Sequence, residues 1–191
     1  MFVNACARPG SRTMELAQEI LKKLDGCVEE VRLYEVSLPI LDLERMERRG
    51  QAAQTQSFSH PDFDFAKQFA AADIIVVAAP YWDLMFPAAL KVYLENITVS
   101  GITFFYTKEG RPRSLCKAKA LYYVTTSGGF IGQNDFGFSY IKALAQNFFG
   151  ITEIHRYAVE GLDIFGADVE QIMCKAKAEI MEGFRKYTIE K

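Results

Sequence analysis

Residues 73–80 read DIIVVAAP and form the strongest strand pattern in the chain. The run from Ile74 to Ala79 is apolar at every position, so both faces of the strand would have to be buried. Strands with two apolar faces occur in parallel sheets that helices cover on both sides. The run therefore predicts a central strand of an α/β protein.

Strand and helix patterns alternate on both sides of this run. Further apolar stretches predict strands at residues 2–6, 31–36, 121–126 and 153–159. Apolar residues at helical spacing predict helices near residues 14–24, 61–72, 86–97, 141–149 and 169–184. The alternation predicts a three-layer α/β sandwich, a five-stranded parallel sheet with helices on both faces. Because the second strand has the mixed faces of an edge strand and the third is central, we expect the order 2-1-3-4-5.

The length of 191 residues fits one domain, and we expect residues 1–191 to form a single folded unit. Residues 37–60 are the least regular part of the sequence, with a charged run followed by a Gln/Ala/Thr/Ser run. We interpret them as an irregular surface excursion that could carry one short helix.

Composition and charge exclude several classes of protein. Half of the residues are apolar, and the 22 Lys and Arg nearly balance the 24 Asp and Glu, for a net charge of −2. A nucleic-acid-binding protein would show a basic stripe, and a strongly acidic electron carrier would show an excess of carboxylates. The longest apolar stretch, residues 74–82, is far shorter than the about 20 residues that a membrane span needs.

The four cysteines are scattered and form no pattern for a metal or iron–sulfur site. We therefore expect no metal, and reduced thiols of a cytoplasmic protein. The N-terminus lacks the apolar core of a secretion signal, which leads to the same expectation.

In a wound parallel sheet, ligands bind outside the carboxyl ends of the central strands, and three turns are expected there. The first turn, residues 8–13, reads RPGSRT and opens a helix. Backbone N–H groups at a helix start favour an anion, Ser11 and Thr13 add hydroxyls, and Arg8 and Arg12 add positive charge. The turn suits a phosphate, although Ser and Thr also cap helices for purely structural reasons.

The second turn, residues 80–87, reads PYWDLMFP and places two aromatic residues directly after a buried strand. A planar ring system stacked beside Tyr81 or Trp82 would explain them. The alternative is that both rings pack against residues 37–60.

The third turn, residues 125–130, reads TTSGGF. Paired glycines let the backbone approach a ligand closely and present N–H groups to it, which suits the carbonyl edge of a flavin ring. A plain flexible turn is the alternative.

At these turns the sequence resembles the NAD(P)H:quinone oxidoreductase and FMN-dependent azoreductase branch of the flavodoxin-like superfamily. The resemblance rests on residues 8–13, 79–91 and 126–129, together with the run GITFFYTKEG at residues 101–110. It implies an FMN-dependent enzyme that transfers hydride from NADH or NADPH to a quinone, an azo compound or a similar small acceptor by a ping-pong mechanism.

The resemblance also implies roles for individual residues. The flavin ring would carry the chemistry, with no catalytic side chain. Three sets of residues would bind FMN: Arg8, Ser11, Arg12 and Thr13 at the phosphate; Pro80, Tyr81, Trp82, Asp83 and Leu84 along the ring; Thr126, Ser127, Gly128 and Gly129 at the pyrimidine end. The acceptor would meet Phe104, Phe105, Tyr106 and Phe130 at the interface of a homodimer. Packing is an alternative role for Tyr106.

Two other functions stay open on the sequence alone. One is a flavodoxin-type electron carrier, and the other is an ancillary or regulatory flavoprotein subunit of a partner protein. His60 and His155 show no recognisable partner pattern, so we expect structural or solvent-facing roles for them. Members of the family usually begin a few residues earlier, so we expect a short first strand.

Asp83 stands where the family commonly has Asn, which generates a first prediction. A carboxylate close to the flavin disfavours an anionic reduced ring. We therefore expect Asp83→Asn to raise the reduction potential of bound FMN. Spectroelectrochemical titration of both proteins measures this directly, and equal potentials would contradict it.

Overall fold

A computed structural model describes residues 1–189, with side chains described as far as Phe184. The strands are β1 (Phe2–Asn4), β2 (Glu30–Arg32), β3 (Ile74–Ala78), β4 (Phe104–Tyr106), β5 (Pro112–Ser114), β6 (Ala120–Thr126) and β7 (Glu153–Val159). The helices are α1 (Arg12–Leu21), α2 (Leu43–Thr55), α3 (Asp64–Ala71), α4 (Ala88–Ile97), α5 (Phe136–Asn147) and α6 (Val169–Ile189). A single 3-10 turn, Pro61–Phe63, precedes α3.

The predicted five-stranded parallel sheet with helices is confirmed, but the strand order needs correction. The sheet runs β2-β1-β3-β6-β7, and every neighbouring pair in it is parallel. The predicted order 2-1-3-4-5 omitted β4 and β5, which pair with each other as a separate antiparallel hairpin. The fourth and fifth strands of the sheet are therefore the sixth and seventh of the chain.

Residues 73–80 have the central position that their composition predicts. In β3, Ile75 and Val77 belong to one hydrophobic cluster, while Val76 and Ala78 belong to the cluster on the opposite face. All four side chains are buried. Because successive side chains of a strand point to opposite faces, β3 contributes to both cores at once.

Residues 37–60 carry one helix, which the sequence left open, and it is longer than the short helix expected there. Helix α2 is 13 residues long and begins at Asp42, whose side chain accepts a hydrogen bond from the backbone N–H of Arg45. Only Ala52 of α2 is buried, in a small cluster with Phe63 and Val99. A helix with so narrow an apolar face carries little periodic signal, which is why its length and bounds could not be predicted from the sequence.

The β4–β5 hairpin is attached to the body of the protein by polar and aromatic contacts. The Ser114 hydroxyl donates to the carbonyl of Phe149 at 2.6 Å. The Phe104 ring meets that of Phe148 edge-on, with centroids 4.9 Å apart. Just before the hairpin, the buried Thr103 hydroxyl donates to the carbonyl of Ile97 at 2.8 Å.

Among the helices described here, none is long and apolar enough to cross a membrane.

Candidate functional site

The three turns singled out in the sequence meet at the carboxyl ends of β1, β3 and β6. Residues 7–8 and 11–13, 80–82 and 126–128 line one cavity of about 140 Å³. Two further residues, Leu162 and Asp163, complete its lining. Ser11, Trp82 and Gly128 therefore share one cleft, as the sequence predicted for a single ligand site.

The first turn presents the start of α1 to this cavity. Gly10 has a φ of +69°, a backbone conformation that favours glycine, and it turns the chain into the helix. Ser11 is the N-cap, and its hydroxyl accepts from the backbone N–H of Met14 at 3.4 Å. The first N–H groups of a helix have no intrahelical acceptor, and together with the helix dipole they favour an anion.

Thr13 contributes to the cavity differently from what the sequence suggested. Its side chain is fully buried, and its hydroxyl lies 2.6 Å from that of Thr126. The pair joins the start of α1 to the end of β6. The Thr13 hydroxyl is therefore engaged inside the protein, and its backbone N–H is what remains for an anion.

Two arginines lie at the same end of the cavity. Arg8 is exposed and lines it. Arg12 donates from Nη1 to Asp163 Oδ1 at 2.8 Å, and more weakly to the carbonyl of Leu162 at 3.4 Å. The site thus holds positive charge, part of which is already paired.

The second turn is a tight reversal with unusual backbone angles. Trp82 and Met85 exchange two backbone hydrogen bonds, each 2.8 Å long. Between them Asp83 has a φ of 49° and Leu84 a φ of 67°, both in the left-handed region. That conformation is uncommon for a residue such as Leu, and its cost is often found at ligand sites.

The aromatic residues of this turn do not pack as the alternative interpretation required. The Tyr81 hydroxyl donates to the carbonyl of Asn134 at 3.0 Å, so the polar end of this ring is held by the loop before α5. Burial, with smaller effects from Asp135 and Glu160, raises the pKa of the Tyr81 phenol and keeps it a neutral donor. Trp82 is 44% exposed beside the cavity.

The third turn is backed by the loop that follows β7. Leu162 and Asp163 donate backbone hydrogen bonds to the carbonyls of Ser127 and Gly128, at 3.1 and 2.9 Å. A Cβ added at Gly128 would overlap the Asp163 carboxylate, so a larger residue here would displace that side chain. Within the described part of the chain, the N–H groups of Gly128 and Gly129 have no acceptor, so they are available to a ligand.

Leu162 and Asp163 are the site residues that the sequence reasoning missed. A usable signal was present, because the turn after the fifth predicted strand must end at the same edge of a parallel sheet as the other three. Asp163 stands in that turn, two residues after Gly161.

Several predicted site residues lie outside the cavity lining. Asp83, Leu84 and Gly129 adjoin lining residues without lining the cavity themselves. Phe104 is only 5% exposed and packs against Phe148 and Tyr106, which leaves no free face for a substrate. Phe105 and Tyr106 are exposed on the hairpin, and Phe130 is 77% exposed after the third turn.

Two side chains with chemistry common in catalysis, Cys6 and His155, are tied to the fold. Burial raises the pKa of the Cys6 thiol, just before the first turn, so it is a poor nucleophile. His155 stacks on Tyr122 with centroids 4.8 Å apart and lies 3.1 Å from a Glu153 oxygen, as expected of a structural residue. Among the described residues, no group of three or more His, Cys, Asp or Glu could hold a metal ion.

A larger cavity, about 620 Å³, lies at the opposite edge of the sheet. Met1, Leu24, Cys27 and Ile74 are among its lining residues, and none of the three turns reaches it. Size alone therefore does not identify the site. The smaller cavity is the candidate because helix N–H groups, two arginines and the glycine N–H groups converge on it.

The donor set of the smaller cavity fits a phosphorylated, flat ring such as FMN. Anion-binding groups of α1 and Arg8 line the cavity together with Gly128, whose N–H group has no acceptor among the described residues. Trp82 adds an exposed aromatic surface to the same lining.

Comparison with known proteins places these observations in context. The model of a family described as having a flavodoxin-like fold matches residues 1–183. The chain is 34% identical over 183 residues to an FMN-dependent NADH:quinone oxidoreductase of Lachnoclostridium phytofermentans, covering 92% of this chain and 88% of that protein. It is 33% identical over 193 residues to a protein of the same name from Caldicellulosiruptor bescii, with 95% and 96% covered. A crystal structure of an azoreductase from Bacillus anthracis superposes with a TM-score of 0.81 at 25% identity, covering 97% of both chains.

The Thr13–Thr126 contact generates a second prediction. Thr13→Val removes the hydroxyl at constant shape and leaves that of Thr126 without its partner, so we expect the free energy of unfolding to fall by about 1–3 kcal/mol. Urea denaturation measures it. Thr55→Val, at the exposed end of α2, is the control and should change stability little.

The double variant Thr13→Val/Thr126→Val separates the interaction of the two hydroxyls from the other effects of each substitution on stability. We expect its free energy of unfolding to fall by less than the sum of the falls in the two single variants, since no hydroxyl is then left unpaired. Strict additivity of the two losses would show that the hydroxyls do not interact.

Proposed function

The chain belongs to the flavodoxin-like family, and from that membership we propose that it is an FMN-dependent NADH:quinone oxidoreductase that also reduces azo compounds. FMN is the bound cofactor and NADH the electron donor, as in the names of the relatives. The observation that carries the proposal is the convergence of three turns on one cavity at the carboxyl edge of the sheet.

The phosphate of FMN would bind at the start of α1. The exposed Arg8, the N-cap hydroxyl of Ser11 and the first N–H groups of the helix face the same cavity and favour an anion. Thr13 would take part through its backbone N–H, because its hydroxyl is bonded to that of Thr126.

The ring of FMN would lie between the second and third turns. Pro80, Tyr81 and Trp82 line the cavity on one side, and Asp83 and Leu84 complete the reversal that follows them. On the other side the N–H groups of Gly128 and Gly129 would meet the polar pyrimidine edge. Thr126 and Ser127 hold this turn on β6 and β7, where the Ser127 N–H donates to the carbonyl of Val159 at 2.8 Å.

Bound FMN supplies the hydride chemistry, and the protein's part is position and electrostatics. We assign no side chain a catalytic role, since the Cys6 thiol is half-buried with a raised pKa and His155 is held in a stack. The chain's residues bind the phosphate, fix the plane of the ring and leave one side open to a donor and then to an acceptor.

We propose that the acceptor meets exposed aromatic residues on the third turn and on the β4–β5 hairpin. Phe105, Tyr106 and Phe130 are 42, 55 and 77% exposed. Large exposed apolar side chains mark interaction surfaces. Phe104 is left out of this surface because it is buried.

We also propose that the protein is a homodimer in the cytoplasm. Trp82, Leu84, Ile164 and Phe165 add large exposed apolar side chains on the turns around the cleft, as a self-complementary interface needs. The four free cysteines suit a reducing compartment.

The proposed reaction is tested by a third prediction. Protein saturated with FMN and freed of oxygen should lose its oxidised-flavin absorbance on addition of NADH alone, and p-benzoquinone should restore it. Repeated cycles should consume NADH and quinone in equal amounts. A protein that takes up no FMN would overturn the proposal, and one whose FMN is untouched by NADH would act as an electron carrier instead.

The quaternary structure is tested by a fourth prediction. Light scattering coupled to size-exclusion chromatography should give twice the 21.6 kDa of one chain. Phe165→Ser, which removes a fully exposed apolar side chain, should shift the protein toward a monomer, while Leu43→Ser, which removes an exposed apolar side chain at the start of α2, should not. A monomer at all concentrations would contradict the proposal.

A further inference from the structure

The Asp163 side chain lines the same cavity as the groups that we propose bind the phosphate. Its backbone N–H donates to the carbonyl of Gly128 at 2.9 Å, so the position of the residue is fixed by the third turn. Its side chain lies over Gly128 and reaches Arg12, with Nη1 and Oδ1 2.8 Å apart. The carboxylate caps no helix, and among the described residues Arg12 is its one ion-pair partner.

This contact has a consequence for any phosphate at the start of α1. Arg12 is the first residue of that helix, next to the N-cap Ser11. A phosphate bound there would meet a guanidinium that is already paired and, in the same cavity, a second negative charge. Like charges in one small cavity repel, and an arginine shared between two anions interacts less with each.

From this arrangement we propose that Asp163 is a specificity-determining residue that competes with the ligand's phosphate for Arg12. It lowers the advantage of a phosphorylated flavin over an unphosphorylated one and so keeps the cofactor exchangeable. The inference rests on the proposed function, because it concerns FMN in the same cavity.

The exposure of the pair sets the size of the effect. The Arg12 and Asp163 side chains are 35 and 69% exposed, so water screens their attraction and the pair itself is weak. A weak internal partner can be displaced by a doubly charged phosphate, but it still reduces the affinity. We expect removal of the carboxylate to tighten FMN binding about five-fold.

The test compares two flavins that differ only in the phosphate. Flavin-free protein is titrated with FMN and with riboflavin, and dissociation constants are taken from quenching of flavin fluorescence. Asp163→Asn and Asp163→Ser should each bind FMN about five-fold more tightly and riboflavin with less than a two-fold change. Asp25→Asn removes an equal charge beyond the other end of α1 and is the matched control. Its dissociation constants for FMN and riboflavin should both stay unchanged.

Arg12→Gln shows whether the effect passes through the arginine. In the Arg12→Gln background, Asp163→Asn should tighten FMN binding by about two-fold or less, since only the direct repulsion between carboxylate and phosphate then remains. An unchanged ratio of riboflavin to FMN affinity in Asp163→Asn would overturn the inference while leaving the proposed function intact. Weaker FMN binding would also overturn it, and would mean that Asp163 holds Arg12 in place for the phosphate. Failure of every variant, wild type included, to bind either flavin would overturn the proposed function itself.

Discussion

The burial of β3 on both faces is the constraint on which the rest of the structure depends. Ile75 and Val77 belong to one core and Val76 and Ala78 to the other, so helices must cover the sheet on two sides. Parallel strands joined by such helices all end at the same edge. The topology alone therefore brings the turns after β1, β3, β6 and β7 together at the carboxyl edge of the sheet. The cavity is a product of topology, and its chemistry comes from a few residues on those turns.

Those residues divide the cavity into regions of different electrostatic character. The start of α1 and Arg8 favour an anion, whereas the second and third turns offer an aromatic face and N–H groups that find no acceptor in the described part of the chain. Buried hydroxyls and backbone hydrogen bonds hold the regions together, the Thr13–Thr126 pair between helix and sheet and the bonds from the loop after β7 to the third turn. The binding surface is supported by contacts that do not themselves touch the ligand, as precise positioning of a ring requires.

Sequence patterns predicted the sheet and three of the four turns because these depend on strong, repetitive burial. Residues 73–80 could hardly be anything but a central strand, and parallel topology fixed where its turn would lie. The length of helix α2 was not predicted because this helix buries only Ala52. The strands β4 and β5 were not predicted because Phe104 is the one buried residue among their six. The hydroxyl of Thr13 was assigned to a ligand because a sequence cannot show that Thr126 lies 2.6 Å away. Asp163 was missed for a related reason, since its partner Arg12 is 151 positions distant along the chain.

The reversal between Trp82 and Met85 has a consequence for the kinetics of association. The turn is held by two mutual hydrogen bonds and contains two left-handed residues, so few other backbone conformations are accessible to it. A loop that is already confined loses little conformational freedom when a planar molecule docks beside it. Capture at this edge then needs no slow rearrangement of the second turn, and the rate of encounter is governed by how readily the ligand diffuses in.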